Sequence, residues 1–169
     1  MNQQVVTFFL IIFVMCTIAM GVADEFIKNE ITPYGIVSFE FISSLSSVNR
    51  VMQIWGENGR AAVGFSLGID YLFILAYSVL TIFFLRNTSS KVSVFSPTLH
   101  KLFSVLIYVF PVAALCDAIE NFGLLKLLFG SQHEVWVLVA YYCAVVKFSI
   151  VAISGISLLY GQSYAFIKR

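Results

Sequence analysis

Residues 61–85 read AAVGFSLGIDYLFILAYSVLTIFFL, and this stretch determines the fold class. Asp70 is its single charged residue, and as a helix the stretch is long enough to cross a bilayer core of about 30 Å. Of the 169 residues in the chain, 60% are hydrophobic and 11% are charged, whereas a soluble domain carries about 25% charged residues. The composition therefore predicts a polytopic integral membrane protein. A net charge of +1, with the basic residues scattered, predicts no nucleic-acid partner.

Three further apolar runs are long enough to span a bilayer, at residues 5–22, about 102–129 and 135–160. The first ends in small residues as a signal peptide does, but it lacks a basic start, so we predict a retained helix. The length allows one compact bundle. The predicted fold is therefore all-α, with four transmembrane helices in a single membrane domain of residues 1–169. Within the 61–85 run, Gly64 and Gly68 are spaced for close helix packing.

Residues 33–55 differ from the four apolar runs. Apolar side chains recur there at steps of three and four, with serines, Asn49 and Arg50 mostly between them, which predicts an amphipathic helix that ends at Gly56. Because Glu40 and Arg50 are charged, we predict that this helix lies on the outer face of the membrane or covers the bundle. A fifth transmembrane span is the alternative.

The distribution of lysine and arginine predicts the orientation of the chain. The predicted loop at 86–101 holds one arginine, two lysines and no acid, and the chain ends in Lys168 and Arg169. With four spans, this loop and both termini lie on the same side of the membrane. We predict that this side is cytoplasmic, because cytoplasmic loops carry an excess of basic residues.

Charged residues within the spans are predicted to lie at similar depths. A helix rises about 1.5 Å per residue, which places Asp70 and Glu120 about 13 Å below the outer ends of their spans. Asp117 and Lys147 lie about 18 Å below the outer ends of theirs. Asp117, Glu120 and Asn121 are three and four residues apart, so they share one helix face. The sequence therefore predicts a polar layer within the membrane, because charges facing lipid are costly.

Further polar residues extend this layer along the same helices. Tyr77 follows Asp70 on one stripe, and Tyr71 lies on the adjacent stripe. A buried Lys147 is expected to pair with a carboxylate. Three acids and one lysine do not balance, so either a second cation such as Arg60 joins them or a carboxyl retains a proton. The candidate ligand or proton site comprises Asp70, Tyr71, Tyr77, Asp117, Glu120, Asn121 and Lys147, with Arg60 and Glu40 as possible additions.

Residues 57–150 resemble a family of small bacterial four-span membrane proteins of unassigned function. The resemblance rests on Gly59-Arg60, the Asp70-Tyr71 pair, Asp-x-x-Glu-Asn at residues 117–121, and Lys147. It implies a four-helix membrane fold, a place to look for a site, and a location in the bacterial inner (plasma) membrane. It implies no activity.

Three functions are compatible with the polar layer. The first is a site for a lipid-like or small amphiphilic ligand, with residues 33–55 gating entry. Its enzymatic version makes Asp117 or Glu120 the general acid or base and Lys147 a charge stabiliser, but no nucleophile motif supports a reaction, so catalytic residues stay unassigned. The second is an accessory subunit of a larger membrane complex, in which the polar layer joins helices. The third is a proton-coupled transporter acting as an oligomer.

The sequence predicts neither a metal site nor a cofactor. Cys16, Cys116 and Cys143 have no CxxC spacing, and the two histidines are far apart without ligand-like neighbours. No phosphate-binding loop is present in the sequence. The predicted partners are therefore membrane lipids, with a small amphiphile or another membrane protein as further possibilities.

Overall fold

The computed structural model describes residues 2–168 and is all-α in that range. Four of its helices are long and apolar enough to cross a membrane, which confirms the predicted four-helix membrane fold. The fifth helix has five residues and lies between the first two long helices. The helices are α1 (Gln3–Asp24), α2 (Ile36–Glu40), α3 (Leu45–Val92), α4 (Pro97–Leu128) and α5 (Glu134–Ile167).

The four long helices alternate in direction, so the bundle has two distinct ends. One end, which we call the terminal end, holds Asn2, the 93–96 connection and Lys168. The other end, which we call the lid end, holds the 129–133 connection and residues 25–44, which we call the lid segment. The two ends of the described chain, Asn2 and Lys168, therefore lie at the same end of the bundle.

The connection between α3 and α4 is shorter than the predicted loop at 86–101. Helix α3 continues to Val92, and α4 begins at Pro97, a residue suited to the first turn of a helix. The Ser96 side chain accepts a hydrogen bond of 3.3 Å from the Leu99 N–H and so caps α4. Much of the basic loop therefore forms helix ends.

The prediction of one continuous amphipathic helix over residues 33–55 is wrong. The segment forms α2, a non-helical turn, and then the first part of α3. The Ser44 hydroxyl accepts a hydrogen bond from the Ser47 N–H, and such a local bond starts a new helix rather than continuing the previous one. Gly56 interrupts α3 with φ 59° and ψ −157°, which is where the amphipathic stretch was predicted to end.

The lid segment packs against the bundle through an aromatic cluster. The Trp55 indole Nε1 donates a hydrogen bond of 2.9 Å to the Ile27 carbonyl, and the Phe39 and Trp55 rings meet edge to face. Asp24 at the end of α1 accepts a hydrogen bond from the Ile36 N–H. These contacts hold the lid segment in one position over the lid end.

Close packing of the helices occurs at Gly161 rather than at the predicted glycine pair. A Cβ atom at Gly161 would collide with the Phe103 ring of α4, so α5 and α4 approach closely there. A Cβ atom at Gly64 would lie 3.4 Å from Leu128 Cδ2, an ordinary van der Waals contact, and one at Gly68 would meet nothing within 4 Å. Spacing alone identified two small residues but not the helix face that they occupy.

Candidate functional site

Lys147 of α5 forms ion pairs with two carboxyl groups of α4. Its Nζ donates to Asp117 Oδ1 at 2.7 Å and to Glu120 Oε1 at 2.9 Å. All three side chains are buried, and Glu120 is 0% exposed. The i, i+3 spacing of the two acids places both on the helix face that meets α5.

Glu40 of the lid segment reaches the same lysine from outside the long helices. Its Oε2 lies 3.4 Å from Lys147 Nζ, the longest of the three ion pairs of Lys147. The side chain is 6% exposed. Glu40 was considered only a possible addition to the layer, and the structure places it in direct contact with the lysine.

Helix α3 contributes an acid and a hydroxyl to this region. The Asn121 amide Nδ2 donates a hydrogen bond of 2.6 Å to Asp70 Oδ2. The Tyr77 hydroxyl donates to Asp117 Oδ2 at 2.9 Å. We call these neighbouring contacts together the acid–lysine layer, in which the Asn121–Asp70 pair lies beside the Lys147 ion pairs because Asn121 directly follows Glu120 on α4. Its members are Glu40, Asp70, Tyr77, Asp117, Glu120, Asn121 and Lys147.

Two predicted site residues lie outside the acid–lysine layer. Tyr71 is 40% exposed, and its hydroxyl donates to the Ala118 carbonyl at 3.3 Å, so it joins α3 to α4 on the outer surface. Arg60 is exposed at the lid end, where its Nε donates to the Gly56 carbonyl at 3.0 Å. Of the two alternatives for balancing the acids, a second cation from Arg60 is therefore wrong, because ten residues of helix separate Arg60 from Asp70 by about 15 Å.

The acid–lysine layer contains more acid than base. In the described part of the chain, three carboxyl groups pair with the one lysine, and a fourth, that of Asp70, accepts a hydrogen bond from Asn121. Three acceptor atoms of the layer, Glu40 Oε2, Glu120 Oε2 and Asn121 Oδ1, are buried and accept no hydrogen bond within residues 2–168. A buried polar atom without a partner costs about 1–3 kcal/mol. The layer therefore has unused capacity to accept hydrogen bonds.

Glu40 lies in the lid segment, outside the four spanning helices. Burial raises the pKa of its carboxyl above the usual range. The Lys147 ammonium opposes this shift, whereas the Asp117 and Asp70 carboxyls add to it, and Glu120 also faces the group. The closed lid segment therefore favours a protonated Glu40.

Sequence patterns identified the helical members of the layer but gave little weight to Glu40. A signal was available, because Glu40 directly precedes Phe41 on the apolar side of the predicted amphipathic helix. A carboxyl next to an apolar stripe either faces water or finds a buried partner.

The buried hydroxyls of three serines neither accept nor donate a hydrogen bond within residues 2–168. These residues, Ser66, Ser78 and Ser154, were not among the candidate site residues.

The described residues offer no metal centre. No group of three or more His, Cys, Asp or Glu side chains in residues 2–168 is arranged to hold a metal ion. The acids of the layer approach a lysine and an amide instead. The arrangement suits hydrogen bonding and proton exchange.

Comparison with protein-family models, with curated proteins and with solved structures finds no match for this chain. The resemblance to small bacterial four-span proteins therefore stays a prediction. Function has to be argued from the geometry of the acid–lysine layer and its surroundings alone.

Proposed function

We propose that this integral membrane protein binds a lipid-like or small amphiphilic ligand, whose polar end meets the acid–lysine layer. Four carboxyl groups and one lysine exceed what is needed to join two helices, since a single Asp117–Lys147 pair would suffice. Ionisable groups inside a membrane are expensive, and they mark functional sites by default.

The unpaired acceptors carry this proposal. Glu120 Oε2 and Asn121 Oδ1 lie in the same layer and have no donor within residues 2–168. A ligand headgroup with hydroxyl or ammonium donors would satisfy both atoms. Its apolar part would remain among the apolar side chains of the bundle.

The lid segment offers an entry route to the layer. Glu40 makes the longest contact with Lys147, at 3.4 Å, and it is the one acid of the layer that lies outside a spanning helix. Movement of residues 25–44 would withdraw Glu40 and uncover Lys147. Loops and short helices of this kind often gate buried sites.

We infer that the lid end faces away from the cytoplasm and that both termini are cytoplasmic. Arg86, Lys91, Lys101 and Lys168 belong to the terminal end or to the helix ends beside it, which supports this orientation. The bacterial inner membrane is the location that the family resemblance suggests. A reporter fused after Arg169 is expected on the cytoplasmic side, and an external reporter would contradict the orientation.

Native mass spectrometry of protein purified in mild detergent tests the ligand proposal. The wild type should retain a ligand of defined mass, and Asp117→Asn should lose it while keeping its helical circular dichroism spectrum. Glu134→Gln is the matched control, since Glu134 is an exposed carboxyl at the start of α5. A spectrum free of ligand for the wild type, or equal retention by Asp117→Asn, would contradict the proposal.

Proton coupling is the second candidate, and the excess of acid over base favours it. With one lysine among four carboxyl groups, the layer holds more acid than it neutralises, so it must carry protons or another cation. This candidate predicts pH-driven flux in liposomes from a dimer or larger assembly. A strict monomer in mild detergent, without flux, would remove it.

A further inference from the structure

Arg60 and Glu57 carry opposite charges at the lid end, and the acid–lysine layer does not use either of them. They are three residues apart and both are exposed. Within residues 2–168 no ion pair joins Arg60 to Glu57 or to any other acid, and the single hydrogen bond of the Arg60 side chain is the one from Nε to the Gly56 carbonyl. The two charges are therefore free to meet a ligand.

Two cavities adjoin at Arg60. The first, of about 370 Å³, is lined on its polar side by amides, and the second, of about 390 Å³, is lined mainly by apolar groups. Arg60 and Leu128 line both cavities. We call the two cavities together the Arg60 groove, whose other lining residues include Asn49, Gln53, Gln132, Glu57, Ala61, Gly64 and Phe129.

The two halves of the Arg60 groove differ in polarity along the bundle. Asn49 and Gln132, which are hydrogen-bonded to each other at 3.0 Å, form the wall nearer the lid end. Ala61 and Gly64 lie farther from the lid end on the apolar side, and the Phe129 ring, which is 84% exposed, borders the same side from the 129–133 connection. A molecule with a charged head and an apolar tail matches this order.

We propose that the Arg60 groove binds a phospholipid with a phosphoethanolamine headgroup. The Arg60 guanidinium presents paired N–H donors that match phosphate oxygens. The Glu57 carboxylate one turn away would accept hydrogen bonds from the primary ammonium. The acyl chains would follow Ala61, Gly64 and Phe129 along the outside of the bundle.

Charge complementarity favours this zwitterionic lipid over the alternatives. A phosphoglycerol headgroup would satisfy Arg60 but presents only neutral hydroxyls to Glu57, so the carboxylate would face the phosphate without a compensating cation. A quaternary ammonium headgroup would neutralise Glu57 but donates no hydrogen bond to it. This site is separate from the proposed ligand site, because about 15 Å of helix divides Arg60 from Asp70.

Lipid competition followed by native mass spectrometry tests the proposal. The full-length protein is mixed with equal amounts of phosphatidylethanolamine, phosphatidylcholine and phosphatidylglycerol, and the retained lipids are counted. We expect phosphatidylethanolamine to be preferred by roughly threefold, the effect of one exposed charge pair. Glu57→Gln should shift the preference toward phosphatidylglycerol, and Arg60→Gln should lower retention of all three lipids.

Arg86→Gln is the matched control, since Arg86 is an exposed arginine on the same helix near the terminal end. Its lipid retention should equal that of the wild type. Preference of the wild type for phosphatidylglycerol, an unchanged ratio in Glu57→Gln, or equal losses in the two arginine variants would overturn the proposal. Competition by soluble glycerophosphoethanolamine as strong as that by the lipid would also overturn it, because the groove would then not bind acyl chains.

Discussion

Replacing Lys147 by methionine removes the single cation of the acid–lysine layer and should destabilise the protein more than any other lysine substitution. The side chain contacts Asp117 at 2.7 Å, Glu120 at 2.9 Å and Glu40 at 3.4 Å. Removing one partner of a buried ion pair costs about 3–5 kcal/mol, because the remaining charge has no compensation. Methionine has a similar length, so packing changes little.

The magnitude also follows from proton balance. Without Lys147, the layer has to hold at least one more proton, on a carboxyl that is ionised in the unfolded chain at neutral pH. Because carboxyl groups in an unfolded chain have pKa values near 4, supplying that proton costs about 4 kcal/mol at pH 7 and about 1 kcal/mol at pH 5. The destabilisation by Lys147→Met should therefore shrink as the pH falls.

Equilibrium unfolding in mixed detergent and SDS micelles measures this effect. The fluorescence of Trp55 and Trp136 reports the lid end, and circular dichroism reports the helices. Lys126→Met is the control, since Lys126 is exposed and its Nζ lies over the Phe122 ring, 5.3 Å from the ring centre. Its replacement should change the free energy of unfolding by no more than about 0.5 kcal/mol. Equal stability of Lys147→Met and wild type at pH 7, or a loss that grows toward pH 5, would refute the reasoning.

Three further predictions concern the lid segment and the terminal end. Burial raises the pKa of Glu40 above its ordinary value. The free energy that favours the closed lid segment therefore decreases as the pH rises through this raised pKa. Hydrogen exchange of residues 25–44, corrected for intrinsic rates, should therefore be faster at pH 8 than at pH 6, and Glu40→Gln should abolish this difference. Gly161→Val should destabilise the bundle by about 1–3 kcal/mol in the same unfolding assay, because its side chain would collide with an α4 ring. Trp55→Phe should cost about 1 kcal/mol by loss of its indole hydrogen bond, measured as a lower midpoint of thermal unfolding; an unchanged midpoint would contradict it.

The sequence predicted the helical part of the layer because helix geometry is regular. A fixed rise per residue converts position into depth, so Asp70, Asp117 and Lys147 could be assigned to neighbouring levels before any contact was known. The structure brings Asp117 and Lys147 to 2.7 Å, and Asp70 accepts a hydrogen bond from Asn121 on the same face of α4. The shared face of Asp117 and Asn121 also followed from spacing alone.

The same reasoning failed where the chain leaves regular helix. The turn before Ser44 redirects the chain, so periodicity placed Glu40 on a surface helix instead of beside Lys147. Arg60 was one of two alternatives for balancing the acids, but its position near the start of the span keeps it at the lid end. Residue spacing defines a helix face only relative to a single helix axis, and each break in a helix introduces a new axis.

The composition of the acid–lysine layer argues against a purely structural role. Structural joining of α4 and α5 requires one compensated pair, and Asp117 with Lys147 provides it. Each further buried acid has to be desolvated, and replacing such groups by apolar residues is often neutral or stabilising. If the layer were only structural, the double variant Asp117→Asn with Lys147→Met should keep both its stability and any retained ligand. A double variant that folds but retains no ligand would show that Asp117 or Lys147 is needed for binding and does more than join the helices.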